Sequence, residues 1–256
     1  MMRFAGKVAL ITAAGAGIGK ATAEIIVREG GTVVAIENQQ SRLDALATLL
    51  DNQPGTFVDK CIDAMDETAA RRTVQAVIDA FGRVDILVNA IGGSTIIANP
   101  AAEIDEMPFE DWQAILNFNL SATFVFTNAV VPHMKTQGSG KIVNLASIAG
   151  RGTSFKSSSP YAVAKGGIIA MTRKLAFELG PHGICINAIA PSLTLTERLM
   201  PHWDARDEDN QAEEIAKVPL GRIARSEDQA KVIAFLASKD ADFVTGQTID
   251  VNGGQL

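Results

Sequence analysis

Apolar residues along the chain form short, nearly continuous runs that alternate with longer stretches of helical periodicity. Runs rich in Val and Ile are typical of strands that are buried on both faces of a parallel sheet. These runs predict strands at Val8–Thr12, Thr32–Glu37, Phe57–Asp63, Asp85–Ala90, Lys141–Leu145, Ile184–Ala190 and Thr248–Val251. The stretches between them predict helices at about 18–29, 41–50, 67–81, 110–136, 161–179 and 227–237.

The repeated alternation of strand and helix predicts an α/β protein: a doubly wound Rossmann fold with a seven-stranded parallel sheet and helices on both faces. No stretch has the composition of a linker, so residues 1–256 are expected to form a single domain. Residues 193–220, with Pro201 and an acidic run from Asp204 to Asp209, interrupt the alternation. We expect this segment to cross the carboxyl edge of the sheet, where ligands bind in such folds; the alternative is a plain surface insertion.

Composition and charge limit the kinds of molecule that the chain is expected to bind. The chain has 256 residues, and 47% of them are hydrophobic, which suits one large globular core. The net charge of -6, without a basic cluster, argues against nucleic acid or an anionic membrane surface as the main partner. No apolar run approaches the ~18 residues needed to span a bilayer, so no membrane segment is expected.

The cysteines and histidines give no sign of a metal site. Cys61 and Cys185 each lie in a predicted strand, and we expect two buried free thiols in a reducing cytoplasm rather than a disulfide. The histidines, His133, His182 and His202, lie far apart in the sequence and are expected to be surface residues or hydrogen-bonding residues. The predicted location is therefore cytoplasmic, and no metal is required.

A glycine-rich turn, Thr12 to Lys20, separates the first strand from the first helix. Backbone N–H groups in such a turn can approach a pyrophosphate at the positive end of the helix. The spacing is not Gly-x-Gly-x-x-Gly, because position 20 is Lys, and a glycine cluster alone is often just a tight turn. The strand before it and the helix after it favour the interpretation as a phosphate-binding turn.

Glu37 closes the second strand, 20 residues after Gly17. An acidic residue there can accept hydrogen bonds from the adenosine ribose hydroxyls of a dinucleotide, and it would repel a 2′-phosphate. Neither Ala16 nor Asn38 offers a positive charge to offset that repulsion. The sequence therefore predicts NAD(H) in preference to NADP(H), with a solvated strand-end glutamate as the alternative.

Tyr161 and Lys165 are four residues apart in a predicted helix and so share one face. A phenol normally loses its proton near pH ~10, and a nearby ammonium favours the phenolate. The pair can therefore serve as a proton-transfer group for a substrate hydroxyl or carbonyl. Taken alone, such a pair is more often a solvated helix face.

Together these features resemble the short-chain dehydrogenase/reductase family, and the resemblance covers nearly the whole chain. Several segments carry it, in the family's order and at the matching places on the strand-helix pattern. They are Thr12 to Gly19, like Thr-Gly-x-x-x-Gly-x-Gly; Leu87 to Gly92, like the Asn-Asn-Ala-Gly strand end; Asn117 to Leu120, like Asn-x-Asn-Leu; Ser147 with the Tyr161-x-x-x-Lys165 pair; Asn187 to Pro191; and Thr245 to Gly254.

The resemblance implies an NAD(H)-dependent oxidoreductase that interconverts a secondary alcohol and a ketone by hydride transfer. Residues 1–145 would mainly bind the cofactor, and residues 146–256 would supply catalysis and the substrate loop. Tyr161 would give or take the hydroxyl proton, and Ser147 would hold the substrate oxygen. Lys165 would bind the nicotinamide ribose and lower the pKa of Tyr161, and Asn119 would hold a water that links Lys165 to solvent.

The resemblance also implies cofactor contacts by position. Ile18 would lie near the nicotinamide, Thr196 would meet its carboxamide, and Asp63 would meet the adenine. Asn89, Ala90 and Gly92 would line the adenosine ribose. The full predicted set is Ala13, Gly15, Gly17, Ile18, Gly19, Glu37, Asp63, Asn89, Ala90, Gly92, Tyr161, Lys165, Pro191 and Thr196.

Four positions depart from the family's pattern. Ala13 stands where the family has Gly, so it is strained if that position needs a positive φ. Ala90 and Ile91 replace Asn and Ala, which leaves Asn89 to tie neighbouring strands. Ser192 follows Pro191 where Gly is usual.

The substrate is left open by the sequence. Residues 193–218 and Gly93–Met107 are predicted to wall the pocket, with an apolar lining from Ile96, Ile97, Leu193, Leu195, Leu199, Met200 and Trp203. Arg151, Lys156 and Arg198 could meet a carboxylate, although a charged loop residue is more often solvated. Compatible substrates include a polyol, a sterol-like ring, an acyl thioester and a small hydroxy acid.

Two other functional classes are weighed against the enzyme. The first is a catalytically silent dinucleotide-binding regulator, which would have no physical need for a lysine beside a tyrosine. The second is a nicotinamide-dependent epimerase or dehydratase on nucleotide sugars, which usually has a larger carboxyl-terminal domain. The helices at 110–136 and 161–179 are apolar over wide arcs, and the resemblance implies a homotetramer or homodimer that packs through them.

Overall fold

The computed structural model describes residues 2–152, 154 and 157–255, so Lys156 lies outside the described residues. A seven-stranded parallel sheet runs through the chain in the order β3-β2-β1-β4-β5-β6-β9. Its strands are β1 Val8–Thr12, β2 Thr32–Glu37, β3 Thr56–Cys61, β4 Ile86–Asn89, β5 Gly140–Leu145, β6 Ile184–Pro191 and β9 Thr248–Val251. Two short strands, β7 Thr194–Leu195 and β8 Ala224–Arg225, pair separately.

Helices cover both faces of this sheet, as the doubly wound prediction requires. They are α1 Gly17–Arg28, α2 Gln40–Leu50, α3 Glu67–Phe81, α4 Phe109–Leu116, α5 Ala122–Gln137, α6 Ser159–Leu179, α7 Met200–Asp204, α8 Glu208–Ala216 and α9 Ser226–Ala237. One buried cluster joins α1, α2 and α9 to the sheet, and a second joins α3, α5 and α6 to the opposite face. The predicted fold class is confirmed.

Strand order reverses between β1 and β4, because β2 and β3 lie on one side of β1 and the later strands lie on the other. In open α/β sheets, ligands bind beyond the carboxyl ends of the strands at this reversal point. The glycine-rich turn follows β1, and the segment from Ala90 to Gly93 follows β4. The fold therefore brings two predicted cofactor segments to one crevice.

Three local features differ from the predictions. The helix predicted at 110–136 is broken by a π-helical turn, Asn117–Ser121, which separates α4 from α5. The segment predicted as an irregular excursion contains α7 and α8. Asp207 caps α8 by accepting from the Asn210 main-chain N–H at 2.8 Å, so part of the acidic run starts a helix.

The two cysteines are free, but they are not buried as predicted: Cys61 is exposed and Cys185 is half-buried. Cys61 ends β3, which lies at the edge of the sheet, where side chains have fewer neighbours. Cys185 Sγ lies 3.5 Å from Lys141 Nζ. The strand pattern predicted where the cysteines lie in the fold, but it did not predict their exposure.

One helical stretch, Phe109–Gln137, is long and apolar enough to cross a bilayer by length and composition alone. This finding corrects the expectation that no apolar run approaches that length. The stretch packs against α3, β4 and β5. A helix at the core of a globular domain passes the same composition test, so the observation carries little weight for a membrane.

Candidate functional site

A cavity of about 1340 Å³ opens at the carboxyl edge of the sheet, where the strand order reverses. It runs from the glycine-rich turn to the start of α6, under the segment that follows β6. It brings together most of the residues predicted from the sequence: Ala13, Gly15, Gly17, Ile18, Gly19, Glu37, Asp63, Ala90, Gly92, Ser147, Tyr161, Lys165, Pro191 and Thr196.

The glycine-rich turn has the tight geometry that its sequence predicts. Ala13 adopts a φ of 50°, so it occupies a left-handed conformation that usually costs an L-residue roughly 1–2 kcal/mol. Gly19 packs so closely that a Cβ there would lie 2.3 Å from the Ala13 carbonyl oxygen. The strain predicted for Ala13 is therefore present, and Gly19 cannot be replaced without moving the backbone.

A carboxylate already lies at the N-terminus of α1. The Gly17 main-chain N–H donates to Glu197 Oε2 at 2.7 Å, and Lys20 Nζ lies 3.2 Å from Glu197 Oε1. Burial acts to raise the pKa of Glu197. Hydrogen bonds from its own backbone, Gly17 and Lys20 have the opposite and larger effect, so the pKa of Glu197 is lowered overall. The turn therefore binds an anion in this structure, which is the chemistry that a pyrophosphate needs.

Glu37 lies at the adenosine end of the cavity and is only 6% exposed. Its carboxylate accepts from the main-chain N–H groups of Gly15 at 3.3 Å and Asn38 at 3.0 Å. Arg42 Nη1 lies 3.6 Å from Glu37 Oε1. The glutamate therefore has a cationic neighbour, although the sequence argument considered only the uncharged Ala16 and Asn38. A salt-bridged carboxylate at the end of β2 is well placed to accept from ribose hydroxyls.

Two predicted residues do not line the cavity: Asn89 and Asn119 are both fully buried behind its wall. Asn89 Nδ2 donates to Thr127 Oγ1 at 3.1 Å and to Asn144 Oδ1 at 2.8 Å. Asn89 thus ties β4 to α5 and β5, as predicted. Its side chain is therefore not available to the adenosine ribose, and the predicted contact of this residue with the ribose stays a prediction.

Asn119 holds the segment after β4. Its Nδ2 donates to the carbonyls of Gly93 and Ile115, both at 2.9 Å, and its Oδ1 accepts from the Gly93 main-chain N–H at 3.0 Å. Both amide N–H donors are therefore used by the protein, and the predicted water relay through Asn119 stays a prediction. The π-helical turn places Asn119 here, and such turns are frequent at functional sites.

Ser147, Tyr161 and Lys165 meet at the other end of the cavity. Ser147 follows β5 and accepts from the Ala149 main-chain N–H at 3.2 Å, so it also forms a short turn. Lys165 Nζ lies 5.6 Å from the centre of the Tyr161 ring, one helical turn away on α6. The predicted catalytic serine, tyrosine and lysine thus share one site.

The pKa values of this pair follow from burial. Burial and, as the smaller contribution, the charge of Arg198 together lower the pKa of Lys165 to about 7. Burial also raises the pKa of Tyr161, although a hydrogen bond with Ser147 and the charge of Arg198 act to lower it. The expectation that Lys165 lowers the tyrosine pKa is therefore not met here, because desolvation of the phenol is the larger effect.

The substrate end of the cavity is more polar than predicted. Among the apolar residues predicted to line it, Leu193 and Leu199 do so, whereas Ile96, Ile97, Leu195, Met200 and Trp203 do not. Charged residues take their place on the wall, and they include Glu197, Arg198, Arg206, Glu214 and Lys217. The pattern of hydrophobic residues could not predict these charged wall residues. It does not show that Met200 and Trp203, both on α7, lie outside the cavity lining.

The residues present fit a nicotinamide dinucleotide. Glu37, the anion-binding turn and the Tyr161–Lys165 pair line one cavity, and they suit the adenosine ribose, the pyrophosphate and the nicotinamide end of a dinucleotide in that order. Among residues 2–152, 154 and 157–255, no group of three or more His, Cys, Asp or Glu side chains is placed to hold a metal ion.

Comparisons with known proteins agree with this geometry. Residues 12–255 match the family model described as Enoyl-(Acyl carrier protein) reductase. The chain is 38% identical over 253 residues to 3-oxoacyl-(acyl-carrier-protein) reductase FabG of Thermotoga maritima, with 99% of each chain covered. It is 35% identical to 7alpha-hydroxysteroid dehydrogenase of Bacteroides fragilis, covering 99% of this chain and 96% of that protein.

Solved structures give the same result. A short-chain dehydrogenase/reductase from Burkholderia xenovorans has a TM-score of 0.92 at 32% identity, covering 99% of this chain and 97% of that one. Levodione reductase has a TM-score of 0.90 at 31% identity, covering 99% and 98%.

Proposed function

The chain belongs to the short-chain dehydrogenase/reductase family, and we propose that it is an NAD(H)-dependent enzyme interconverting a secondary alcohol and a ketone. The observation that carries the proposal is the placement of Ser147, Tyr161 and Lys165 in one cavity with an anion-binding turn. Oxidoreductase chemistry is common to the relatives, which are named as reductases and dehydrogenases.

Tyr161 and Lys165 would hold the nicotinamide end of the cofactor, which would supply the hydride for the carbonyl carbon in the direction of ketone reduction. The carbonyl oxygen takes its proton from the Tyr161 hydroxyl, and the reverse direction returns both. Ser147 Oγ accepts from the Ala149 N–H, and its hydroxyl hydrogen-bonds Tyr161 in this structure; with a ketone bound, that hydroxyl would donate to the same carbonyl oxygen. Two fixed donors aimed at an oxygen that gains negative charge favour the transition state over the bound ketone.

Lys165 binds the cofactor ribose and stabilises the negative charge that forms on Tyr161. Its Nζ donates to the Leu145 carbonyl at 2.7 Å, which leaves two N–H donors for ribose hydroxyls. With a pKa of about 7, the ammonium exchanges its proton readily at neutral pH. A positive charge beside Tyr161 stabilises the phenolate that forms when the hydroxyl proton leaves.

The preference for NAD(H) over NADP(H) rests on Glu37. Its buried carboxylate would lie against a 2′-phosphate, and like charges in a poorly solvated site repel strongly. Arg42 offsets part of that repulsion, but it is already paired with Glu37 at 3.6 Å. The balance favours two ribose hydroxyls, which donate hydrogen bonds to the carboxylate.

The alternatives are less well supported. No relative favours a catalytically silent regulator, and the complete set of proton-transfer groups argues against one. The relatives that the chain matches over 98–99% of their length are named as a reductase and a dehydrogenase, which favours that chemistry over a nucleotide-sugar epimerase or dehydratase. The relatives' names include a carrier-protein thioester reductase and a hydroxysteroid dehydrogenase, so they do not converge on one substrate.

We also propose a homo-oligomer, as a tetramer or a dimer. Phe109, Phe124, Val163 and Phe177 on α4, α5 and α6 are all exposed, and Phe177 reaches 84%. Exposed apolar side chains on neighbouring helices favour a symmetric interface between copies. A cytoplasmic location stays a prediction from the free cysteines.

The test of the enzyme proposal is turnover in matched variants. We expect the wild type to oxidise NADH at 340 nm with members of a ketone panel, and Tyr161→Phe to lose at least about a thousandfold in kcat. The variant should keep its NADH affinity within about twofold, because the hydroxyl acts on the substrate oxygen. Equal rates in the two proteins would reject Tyr161 as the proton donor.

A further inference from the structure

The structure separates the three cations that the sequence offered as carboxylate ligands. Arg151 Nε donates to Asp250 Oδ1 at 3.0 Å, and its Nη2 donates to the Thr248 carbonyl at 2.7 Å. Arg151 is therefore occupied by the end of the sheet. Lys156 lies outside the described residues, which leaves Arg198.

Arg198 lines the cavity and is exposed to it. In the part of the chain that the structure describes, its guanidinium has no hydrogen bond or ion pair. Three other cations of the cavity wall have a carboxylate partner, and Arg206 lies over the Trp203 ring, 5.6 Å from its centre. The pairs are Lys20 with Glu197 at 3.2 Å, Arg42 with Glu37 at 3.6 Å, and Lys217 with Glu213 at 2.9 Å.

The guanidinium lies beside the catalytic pair. A Cβ on Gly93 would lie 2.6 Å from Arg198 Nη1 and 2.9 Å from Nη2, so the planar group packs on that glycine. A Cβ on the preceding Gly92 would lie 2.9 Å from Lys165 Nζ. Two consecutive glycines thus hold two cations along one wall, and the charge of Arg198 reaches both Lys165 and Tyr161.

Arg198 and the protonated Lys165 repel each other, since no carboxylate among the described residues neutralises either cation. An anion bound between or beside them would offset that electrostatic repulsion. An arginine fork matches a carboxylate in shape and binds it through two parallel hydrogen bonds. The reacting carbon must lie at Tyr161, so a carboxylate on Arg198 belongs to the same small molecule.

We propose that the substrate is a secondary alcohol or ketone that also carries a carboxylate, and that Arg198 binds this carboxylate. This inference rests on the proposed function and narrows its substrate class to hydroxy acids and oxo acids. Arg198 is then a specificity-determining residue, and Leu193 and Leu199 cover the short carbon chain between the two ends.

The test compares each acid with its own methyl ester, because the ester keeps the ketone and loses the charge. Acetoacetate, levulinate and their methyl esters are reduced with NADH by the wild type, Arg198→Met, Arg198→Lys and the control Arg151→Met. We expect the wild type to prefer the acids in kcat/KM by roughly tenfold to a hundredfold. The readout is the ratio of acid to ester kcat/KM within each protein: Arg198→Met should lose the preference, Arg198→Lys should keep part of it, and Arg151→Met should keep all of it.

A second arm measures binding without turnover. Calorimetry follows the same acids into the NADH complex of Tyr161→Phe, with and without Arg198→Met, and we expect the second substitution to weaken acid binding at least tenfold. An NADH dissociation constant that rises tenfold in Arg198→Met while the acid preference is unchanged would assign Arg198 to a cofactor phosphate and overturn the proposal.

Two outcomes separate this inference from the proposed function. Esters reduced as well as acids by the wild type would overturn the carboxylate site and leave the oxidoreductase intact. Acids that bind in an Arg198-dependent way but are never reduced would support the carboxylate site and count against the oxidoreductase.

Discussion

Lys165 is a buried lysine held against a carbonyl oxygen, with Arg198 as a further cation in the same wall. Burial and that neighbour lower its pKa from 10.5 to about 7. Between about pH 7 and 10.5, the unfolded chain therefore binds a proton at this residue that the folded chain has released. Stability from this group rises with pH across that window and is lowest below it.

The residue-scale prediction on pH uses Lys165→Met. Without cofactor, the variant should melt several degrees higher than the wild type at pH 6.5, because it has no charge to bury. The gain should shrink steadily as the pH rises to 9.5. Thermal unfolding of both proteins across this range makes the measurement, and two parallel curves would show that Lys165 titrates normally.

Glu37 carries the second prediction at this scale. Glu37→Ser removes the carboxylate that repels a 2′-phosphate and releases Arg42 to bind one. We expect NADPH affinity to rise about tenfold or more and NADH affinity to fall, both measured by fluorescence titration. The double variant Glu37→Ser with Arg42→Met should lose the NADPH gain. An unchanged ratio of the two affinities in Glu37→Ser would mean that another group sets the preference.

Residue motifs predicted the catalytic set and most of the cavity, because spacing along one helix or one turn fixes where those side chains point. Ser147, Tyr161 and Lys165 are such cases. Arg42 and Glu197 were missed for different reasons. Arg42 lies in the first turn of α2, where only the helix orientation turns it toward Glu37, and Glu197 meets a turn 180 residues away in the chain.

At the scale of elements, the segment after β6 lies against the start of α1. Glu197 accepts from Gly17 N–H, and Thr196 packs on Gly17, where a Cβ would lie 3.0 Å from Thr196 Cγ2. A pyrophosphate needs the same N–H donors and the same positive helix end. Cofactor binding must therefore displace the Glu197 carboxylate, and the segment must move.

Glu197→Gln tests this competition. Removing the charge should tighten NADH binding by about threefold to tenfold, because the pyrophosphate no longer displaces an ion pair and Lys20 is free to meet it. Glu24→Gln is the matched control, since Glu24 also lies on α1 but pairs with Arg28 at 2.9 Å. A dissociation constant for NADH that is unchanged or weaker in Glu197→Gln would contradict the account.

Element boundaries were predictable where the apolar pattern is strong and failed where tertiary contacts decide. The sheet strands were placed to within a few residues because most of them are buried runs; the edge strands β3 and β9 are more exposed. The π-helical turn at Asn117–Ser121 was not predicted, because the helix that follows it is apolar over a wide arc and has no sharp stripe whose shift would reveal an extra residue. The helices α7 and α8 were hidden by Pro201 and an acidic run, which here serve as helix-start signals.

At the scale of the whole molecule, the exposed aromatic residues remain to be explained. Phe124 on α5 and Phe177 on α6 are 51% and 84% exposed, and both helices cover the same face of the sheet. Large apolar side chains left in water on neighbouring helices would be buried by a second copy of the chain. The fold alone gives no reason for them.

We expect Phe177→Asp to weaken self-association at least tenfold, measured as a dissociation constant by sedimentation equilibrium. Phe81→Asp is the control, because Phe81 is an exposed phenylalanine at the end of α3, away from α6. A wild type that sediments as a monomer at micromolar concentration would reject the oligomer, and equal dissociation in both variants would reject this face.

The central claim is that a hydride passes from NADH to a carbonyl carbon in this cavity while Tyr161 supplies the proton to the carbonyl oxygen. The most direct test follows the transferred hydride as deuterium. NADH deuterated at C4 is incubated with an oxo acid, and the mass of the product is measured by mass spectrometry. The account predicts one deuterium in the hydroxy acid formed by the wild type and none formed by Tyr161→Phe with NADH still bound. Deuterium-free product from the wild type, or equal labelling by both proteins, would contradict it.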